Sequence, residues 1–315
     1  MTTFVRLFTQ TKYLPVFSKL FSKFDLFARM SSTGVTNLTS SKHFGFLGSG
    51  QMAQAMAKGF LSGGSLKGSQ VTMTDRFGPD TNAHLFQPVG QIKEKYGIEY
   101  LQNNNEMAKK SDVIFACLKP NVILSALNEI AKELNNKLII SVAAGITLTQ
   151  IQEVVPESTR VVRIMPNTPC LVQAGTAVFS RGSTVTDEDI AMTSGLCSSI
   201  FNVFEEIPES LISAASGISG CGPAYMYLIA EALADGGVQM GLSRPLAHKL
   251  AVSTMAGSAA MMERTGENPS KLKNDVCSPG GATIAAVHAL EQGGVRAAIM
   301  NAVRAAAVRS DELSK

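Results

Sequence analysis

Between His43 and about Ile207, short apolar runs rich in β-branched residues alternate with stretches whose apolar positions recur at helical spacing. FGFLG leads into an amphipathic segment through Met56. QVTMTD follows, then DVIFACL with NVILSALNEIAKEL behind it, and KLIISVAAG and TRVVRIMPN continue the series. Strands that read as unbroken apolar runs are covered on both faces, and their alternation with helices predicts an α/β domain with a mainly parallel sheet. After Ile207 the β-branched runs stop, and Ala, Met, Leu and Gly at helical spacing take over. Helix punctuation is explicit there: Ser243 with Pro245 opens a helix and Gly266 closes it, while Ser278 with Pro279 opens another that stops at Gly293–Gly294. The pattern divides the chain into an extension over residues 1–42, an α/β domain over 43–207 and an all-helical domain over 208–315.

No charge interrupts Leu250 to Met262, and Ala256, Gly257, Ala259 and Ala260 leave room for close backbone approach. A helix apolar nearly all round needs neighbours on every side, which a domain of about 100 residues does not supply alone. The helical domain therefore reads as a dimerisation element, with a second copy of the chain as partner. Leu211 to Ala230 is uncharged throughout, but it carries Pro223 and several Gly and Ser. It reads as buried loop and helix, so no membrane span is expected.

Composition refines this picture in three places. With 315 residues, 45% of them apolar and 17% charged, the chain is a folded protein large enough for two domains. Its net charge of +3 is unevenly placed, because Arg6, Lys12, Lys19, Lys23, Arg29 and Lys42 stand against Asp25 alone. The body is accordingly slightly acidic, which argues against nucleic acid as a partner. The basic, Ser- and Phe-rich extension, with apolar side chains among positive ones across VFSKLFSKFDLFARM, reads as a cleavable mitochondrial transit segment. The alternative is a cytoplasmic chain that keeps the segment as an arm or starts at Met30. Five widely spaced cysteines without ligand spacing indicate a reducing compartment and no metal site, each being a small buried apolar residue.

Candidate chemistry begins at Gly48, Gly50 and Ala53, a G-x-G-x-x-A directly after the first strand and at the start of a helix. In that context Gly48 makes the tight turn and Gly50 lets the backbone approach a pyrophosphate. Ala53 permits close helix–strand packing, and the free N–H groups of the helix start attract the phosphate charge. The domain is thus of Rossmann type and shaped for a dinucleotide. At the end of the second strand, Asp75 would favour ribose hydroxyls and NADH, whereas Arg76 would pair with a 2′-phosphate and tips the reading to NADPH.

Three further segments hold more Gly, Pro and small polar residues than packing requires: MPNTP at 165–169, SGCGPAY at 219–225 and CSPGGAT at 277–283. In the last, Ser278 is a natural N-cap and Pro279 a first helical residue, and Gly280 and Gly281 leave their amides open. This is a carboxylate-binding helix start, or else simply a well-capped helix. Thr283 follows with a hydroxyl.

Taken in order, GFLGSGQMAQAMAKG, CLKP, SVAAGIT, RIMPNTP, SGCGPAYMYLIAEALADGGVQMGL and KNDVCSPGGATIAAVHALEQGG resemble the pyrroline-5-carboxylate reductases, from about His43 to the terminus. These enzymes reduce a cyclic imine to L-proline with NADPH or NADH. The resemblance implies that Gly48, Ser49, Gly50, Gln51 and Met52 cradle the cofactor phosphates and that Asn104 contacts the ribose region. Lys119, Pro120, Ala143 and Gly145 would line the nicotinamide end. Val276, Ser278, Gly280, Gly281 and Thr283 would hold the substrate, with Thr283 near the ring nitrogen as the catalytic hydroxyl. It also implies dimers that associate into rings of five. The segment from Phe77 to Gly97 is longer than the family pattern. An imine is basic enough to need no strong acid, so His248 and His288 are read as ordinary helix residues. The rival readings are a β-hydroxyacid dehydrogenase, which would depend on a helix lysine, and a silent dinucleotide sensor, which would have no use for CSPGGAT.

Overall fold

The computed structural model describes residues 37–75 and 89–314. Most of the amino-terminal extension, Arg76, and residues 77–88 of the long segment before Gly97 lie outside the described residues. The chain divides after Ile207 into two compact units.

In the first unit the elements are β1 (Phe44–Leu47), α1 (Gln51–Ser62), β2 (Val71–Thr74), α2 (Val89–Tyr96), β3 (Glu99–Leu101), α3 (Asn104–Lys110), β4 (Val113–Ala116) and α4 (Pro120–Glu129). They continue as β5 (Leu138–Ser141), α5 (Leu148–Gln152), β6 (Arg160–Pro166), β7 (Gly175–Arg181), α6 (Asp187–Cys197) and β8 (Phe201–Glu206). The eight strands form one sheet in the order β3-β2-β1-β4-β5-β6-β7-β8. Every pairing is parallel except β6 with β7. The mainly parallel Rossmann-type sheet expected from the sequence is therefore present, with one antiparallel step near its far edge.

The strands read as unbroken apolar runs because alternate residues serve two cores. Phe44, Phe46, Val113, Phe115, Leu138 and Ile140 pack on one face with Met56 and Phe60 of α1. Phe46 stacks on Phe115 at 4.9 Å, and Phe60 lies 5.4 Å from the same ring. Leu47, Ile114, Ala116, Ile139 and Val161 pack on the opposite face with residues of α3, α4 and α5. Gly45 belongs to this second face. A Cβ there would fall 2.2 Å from Met107 Sδ and 2.4 Å from Ser111 Oγ, so α3 sits on β1 only because the side chain is missing.

The two edges differ from this interior. β3 has three residues, none fully buried, and β8 exposes Asn202, Glu205 and Glu206. Arg181 ties β8 to its neighbours, its Nε and Nη1 lying 2.6 Å from Glu206 and 2.7 Å from Asp187.

At the amino ends of β1, β2 and β3, His43 Nε2 lies 2.7 Å from Thr72 Oγ1, which donates to Glu99 Oε2 at 2.9 Å. The Thr72 proton being so used, His43 donates from Nε2. Lys110 Nζ reaches Glu99 Oε1 at 2.5 Å, and the His43 N–H donates to Asp112 at 2.8 Å. Burial holds the His43 imidazole below its ordinary value of 6.5, and the Lys110 hydrogen bond holds the Glu99 carboxyl below 4.5. Both groups bind fewer protons folded than unfolded, so their contribution to stability is complete above pH 6.5. It is lost in two steps, first as pH falls through the folded value of His43 and then through that of Glu99. Urea midpoints should fall between neutral pH and pH about 5, and His43→Asn, which removes the upper step, should flatten that fall. A variant with the full pH dependence of the parent would show that the imidazole is not responsible.

The second unit is helical: α7 (Ile212–Ala215), running on through a wider turn at Ser216–Gly220, then α8 (Gly222–Gln239), α9 (Arg244–Thr265), α10 (Pro269–Asp275), α11 (Ala282–Gln292) and α12 (Val295–Leu313). Ser243 caps α9, Gly266 ends it in a left-handed conformation, and α11 stops at Gly293, as the punctuation predicted. Taken by itself, this unit has a buried apolar cluster of only Ala234, Ala247 and Ala251, with Val238 against it. Leu250, Met261 and Met262 are 49%, 53% and 42% exposed, and Met240 is 84% exposed. The expectation that Leu211 to Ala230 is buried needs correction. Ile212, Ser213, Ser216 and Gly217 are buried, but Tyr227 and Leu228 project outward. Among the described residues, no helix is long and apolar enough to cross a membrane.

Candidate active site

The order of the sheet places the candidate dinucleotide site. The chain runs from β1 outward through β2 to β3, then crosses to β4 on the other side of β1, so the carboxyl ends of β1 and β4 flank a topological switch point. Every described candidate for cofactor contact follows a strand's carboxyl end. Gly48 to Met52 follow β1, Asn104 follows β3, Lys119 and Pro120 follow β4, and Ala143 and Gly145 follow β5. Arg76, which would follow β2, lies outside the described residues.

Two glycines of the β1–α1 turn do different work. Gly48 has φ +101°, and a Cβ there would fall 2.9 Å from the Cys117 carbonyl oxygen and 2.8 Å from Leu118 Cδ2. It lets the turn lie against the end of β4. Gly50 caps α1 with φ −66°, and a Cβ there would meet nothing within 4 Å. The space over Gly50 is open, which is the cradle a close-lying pyrophosphate requires. No side chain caps α1 and its first turn has no acidic residue, so the helix start keeps its positive end uncompensated. Contrast α6, where Thr186 closes a capping box with Asp189 and three acidic residues occupy the first turn. The residues of this turn thus fit a dinucleotide phosphate.

The turn is tied down on both sides. Ser49, 4% exposed, donates from Oγ to Asp75 Oδ2 at 2.6 Å, and Gln54 Nε2 donates to the Ser49 carbonyl at 2.7 Å. Behind α1 runs the single turn Thr168–Val172 of the MPNTP region. Asn167 Oδ1 accepts from the Thr176 N–H at 2.8 Å, Cys170 Sγ donates to Met52 Sδ at 3.6 Å, and Gln173 Nε2 donates to Ser62 Oγ at 2.9 Å. That region therefore braces both ends of the phosphate-binding helix. Sequence reading gave no role to Asp75 beyond the ribose and none to Cys170, because these partners lie far apart along the chain.

The cysteines here are not nucleophiles. Burial pushes the Cys170 thiol up to about 11, and Cys117 and Cys197 higher still. Cys221, expected to be buried, is exposed in the helical unit. Among the described residues no group of His, Cys, Asp and Glu is placed to hold a metal ion.

The candidate substrate residues are in the helical unit, and their local structure corrects one expectation. Ser278 and Pro279 do not open α11. The helix begins at Ala282, with Gly281 as its N-cap. The Gly281 N–H donates to the Ser278 carbonyl at 3.1 Å and Gly280 has φ +68°, so Ser278–Gly281 is a reverse turn with Pro second and a left-handed Gly third, the combination of a type II turn. Proline with a left-handed glycine favours this turn over a helix start. A Cβ on Gly281 would fall 2.3 Å from Ser278 Oγ, so the glycine lets the turn fold onto the helix end. As at α1, the cap is a glycine without a side-chain bond and the first turn lacks acids. Thr283 is the second residue of α11 and exposed, with Ser278 and Gly280 exposed beside it in sequence and Val276 63% exposed. His248 and His288 are likewise exposed, and Asp235 is paired with Arg244.

Comparison with known proteins agrees with this arrangement. A family model for pyrroline-5-carboxylate reductase dimerisation matches residues 209–313, and one described as NADP oxidoreductase coenzyme F420-dependent matches residues 43–145. The pyrroline-5-carboxylate reductase of Arabidopsis thaliana is 42% identical over 86% of this chain and 95% of its own length. Human pyrroline-5-carboxylate reductase 2 is 39% identical over 85% of this chain and 83% of its own. Among solved structures, the Plasmodium falciparum pyrroline carboxylate reductase with NADP bound is 32% identical with a TM-score of 0.78, covering 87% of this chain and 99% of its own. That of Coxiella burnetii is 31% identical with a TM-score of 0.79 over the same shares. With likeness of this strength over nearly the whole of both chains, and with the glycine turn and the CSPGGAT helix start in place, the chain belongs to the pyrroline-5-carboxylate reductase family.

Proposed function

We propose that the chain reduces 1-pyrroline-5-carboxylate to L-proline, with NADPH or NADH as the reductant. The observation that carries this reading is a pair of helix starts built alike, at Gly50 and Gly281, each capped by a glycine in extended backbone and free of side-chain caps and first-turn acids. An anion is the ligand each one suits. The first takes the dinucleotide pyrophosphate over Gly50, and the second takes the substrate carboxylate through the amides at the start of α11.

A reduced nicotinamide ring supplies the hydride for the imine carbon. The chain supplies position. Amides at α11 hold the carboxylate, and the Thr283 hydroxyl, which makes no hydrogen bond to another described residue, is available to the ring nitrogen where the proton is gained. No strong acid is required, because the imine is itself basic, and orientation accounts for most of the acceleration. The direct test is a steady-state assay of the purified chain with the imine and each reduced dinucleotide in turn. Turnover with at least one is expected. Oxidation of neither would refute the reading.

Assembly belongs to the same proposal. A three-alanine cluster cannot hold six helices in place, so the exposed face around Leu250, Met261 and Met262 is covered by a second copy, and dimers associate into rings of five as in the family resemblance. Light scattering should give multiples of the dimer mass. Leu250→Glu should lower the assembled fraction and the urea midpoint together. A monomer at micromolar concentration, as stable as the parent, would sink the idea.

A further inference from the structure

We propose that Met52, Cys117 and Cys170 bind a soft monovalent cation, copper(I), beside the start of α1, and that its occupancy opposes the dinucleotide. The site stands apart from the proposed reaction. Only the antagonism rests on the dinucleotide reading above.

The three sulfur side chains come from three elements and meet on one face of the sheet. Met52 is the second residue of α1, Cys117 follows the last residue of β4, and Cys170 lies in the turn Thr168–Val172. All three pack in or against the core cluster on the α1 side, where Phe115, two residues before Cys117, is also buried. Cys170 is 1% exposed, and its Sγ donates to Met52 Sδ at 3.6 Å. Two sulfurs that each bind one cation at about 2.3 Å stand roughly 3.8 Å apart at a tetrahedral angle, so a metal ion can replace that shared proton with little movement. Cys117 is the third donor. Its carbonyl is so near Gly48 that a Cβ there would clash with it, and its thiol is pushed up first by burial and then by the nearness of Cys170. Met52 and Cys117 are partly exposed, which gives the cation an entry, while Cys170 closes the inner side.

Two thiols and a thioether are soft donors, the set that selects copper(I) over harder ions. Among the described residues no imidazole, carboxylate or third thiol joins the pair, so zinc lacks its usual fourth ligand. On binding, copper keeps its charge, each thiol passes its proton to water, and bonds form to two thiolates and the thioether. The product carries one net negative charge. The uncompensated positive end of α1 stabilises that charge, and a pyrophosphate requires the same helix end. Each ligand therefore weakens the other, and by the same factor.

Titration of the full chain with copper(I) under argon, in competition with bicinchoninate, reads the site without turnover. The parent for this test carries Cys221→Ser and Cys277→Ser, which removes the other thiols that solvent reaches. It should bind one copper(I) per chain. Cys170→Ala, Cys170→Ser and Cys117→Ser should each lose at least about a hundredfold in affinity, and Met52→Leu, which conserves volume, about tenfold. Two variants at Cys170 guard against one failing to fold, and urea midpoints report which are folded. Copper held as tightly by the folded Cys170 or Cys117 variants as by the parent would overturn the site, as would a parent that binds none. In a second arm, copper should lower the NADP⁺ affinity of the parent by about tenfold or more, the scale of one like-charge contact at a partly solvated site, and leave that of Cys170→Ala unchanged. An equal fall in Cys170→Ala, or none in the parent, would overturn the antagonism. A parent that binds copper but no NADP⁺ at all would refute the dinucleotide reading, and the antagonism with it, while the site stands.

Discussion

Gly50→Val should weaken dinucleotide binding by at least about a hundredfold, roughly 2.7 kcal/mol, while the chain keeps its fold. The two halves of this expectation come from different properties of one position. Gly50 has φ −66° and ψ −177°, extended backbone open to any residue, and an added Cβ meets no atom within 4 Å. The folded chain therefore accepts valine. The ligand does not, because the branched side chain stands where the pyrophosphate must approach the free amides of α1. Gly48→Ala is the instructive contrast. With φ +101° and the Cys117 carbonyl 2.9 Å from the added Cβ, it should cost about 1–3 kcal/mol of stability from the left-handed backbone alone. Fluorescence titration with a reduced dinucleotide, paired with urea denaturation, separates the two. A folded Gly50→Val chain with unchanged affinity would place the phosphate elsewhere.

Thr283→Ala should lower kcat by about tenfold to a hundredfold, roughly 1.4 to 2.7 kcal/mol. The hydroxyl is at the second residue of α11, and no described residue competes for it. Substrate affinity should suffer less, because the carboxylate still meets the amides that follow Gly281. Complete loss of activity would make Thr283 an obligatory proton donor, and an unchanged rate would leave protonation to water. Thr283→Ser keeps the hydroxyl and loses the methyl that restricts its rotamer. Should Ser fall as far as Ala, packing of the methyl is what matters and the hydroxyl role is wrong. Stability should barely move in either variant, since Thr283 is exposed in its unit.

Legibility in the sequence followed burial. β1, β2, β4 and β5 are buried along their whole length, so each stands out as an apolar run. β3, β7 and β8 were not legible. β3 is too short and half-buried, while β8 carries charges on an edge. β7 alternates because its antiparallel step brings it toward the rim. Helix ends at Ser243, Gly266 and Gly293 were readable from local chemistry. Ser278 was not, because Ser-Pro-Gly-Gly suits both a capped helix and a type II turn, and the left-handed φ of Gly280 decides for the turn. The glycine turn could be read from spacing alone. The Ser49–Asp75 bond could not, because its partners are 26 residues apart and neither side chain is unusual by itself. The same holds for the Cys170–Met52 contact, spanning 118 residues.

The borders of the sheet bear on how the chain avoids aggregating as it is made. An open row of strand N–H and C=O groups is a template for another chain, and a sheet with eight strands has two such rows. Here one border is a three-residue strand, too short to recruit a partner strand, and the other presents Glu205 and Glu206. A second sheet approaching the β8 border would bring carboxylates against carboxylates. Fibrillar growth from that border should accordingly be faster for Glu205→Gln than for the parent chain, which a dye-binding time course would read. Among the described residues, the apolar faces of α8 and α9 are left as the stickiest surface, so encounters between copies are channelled to helices rather than to strands.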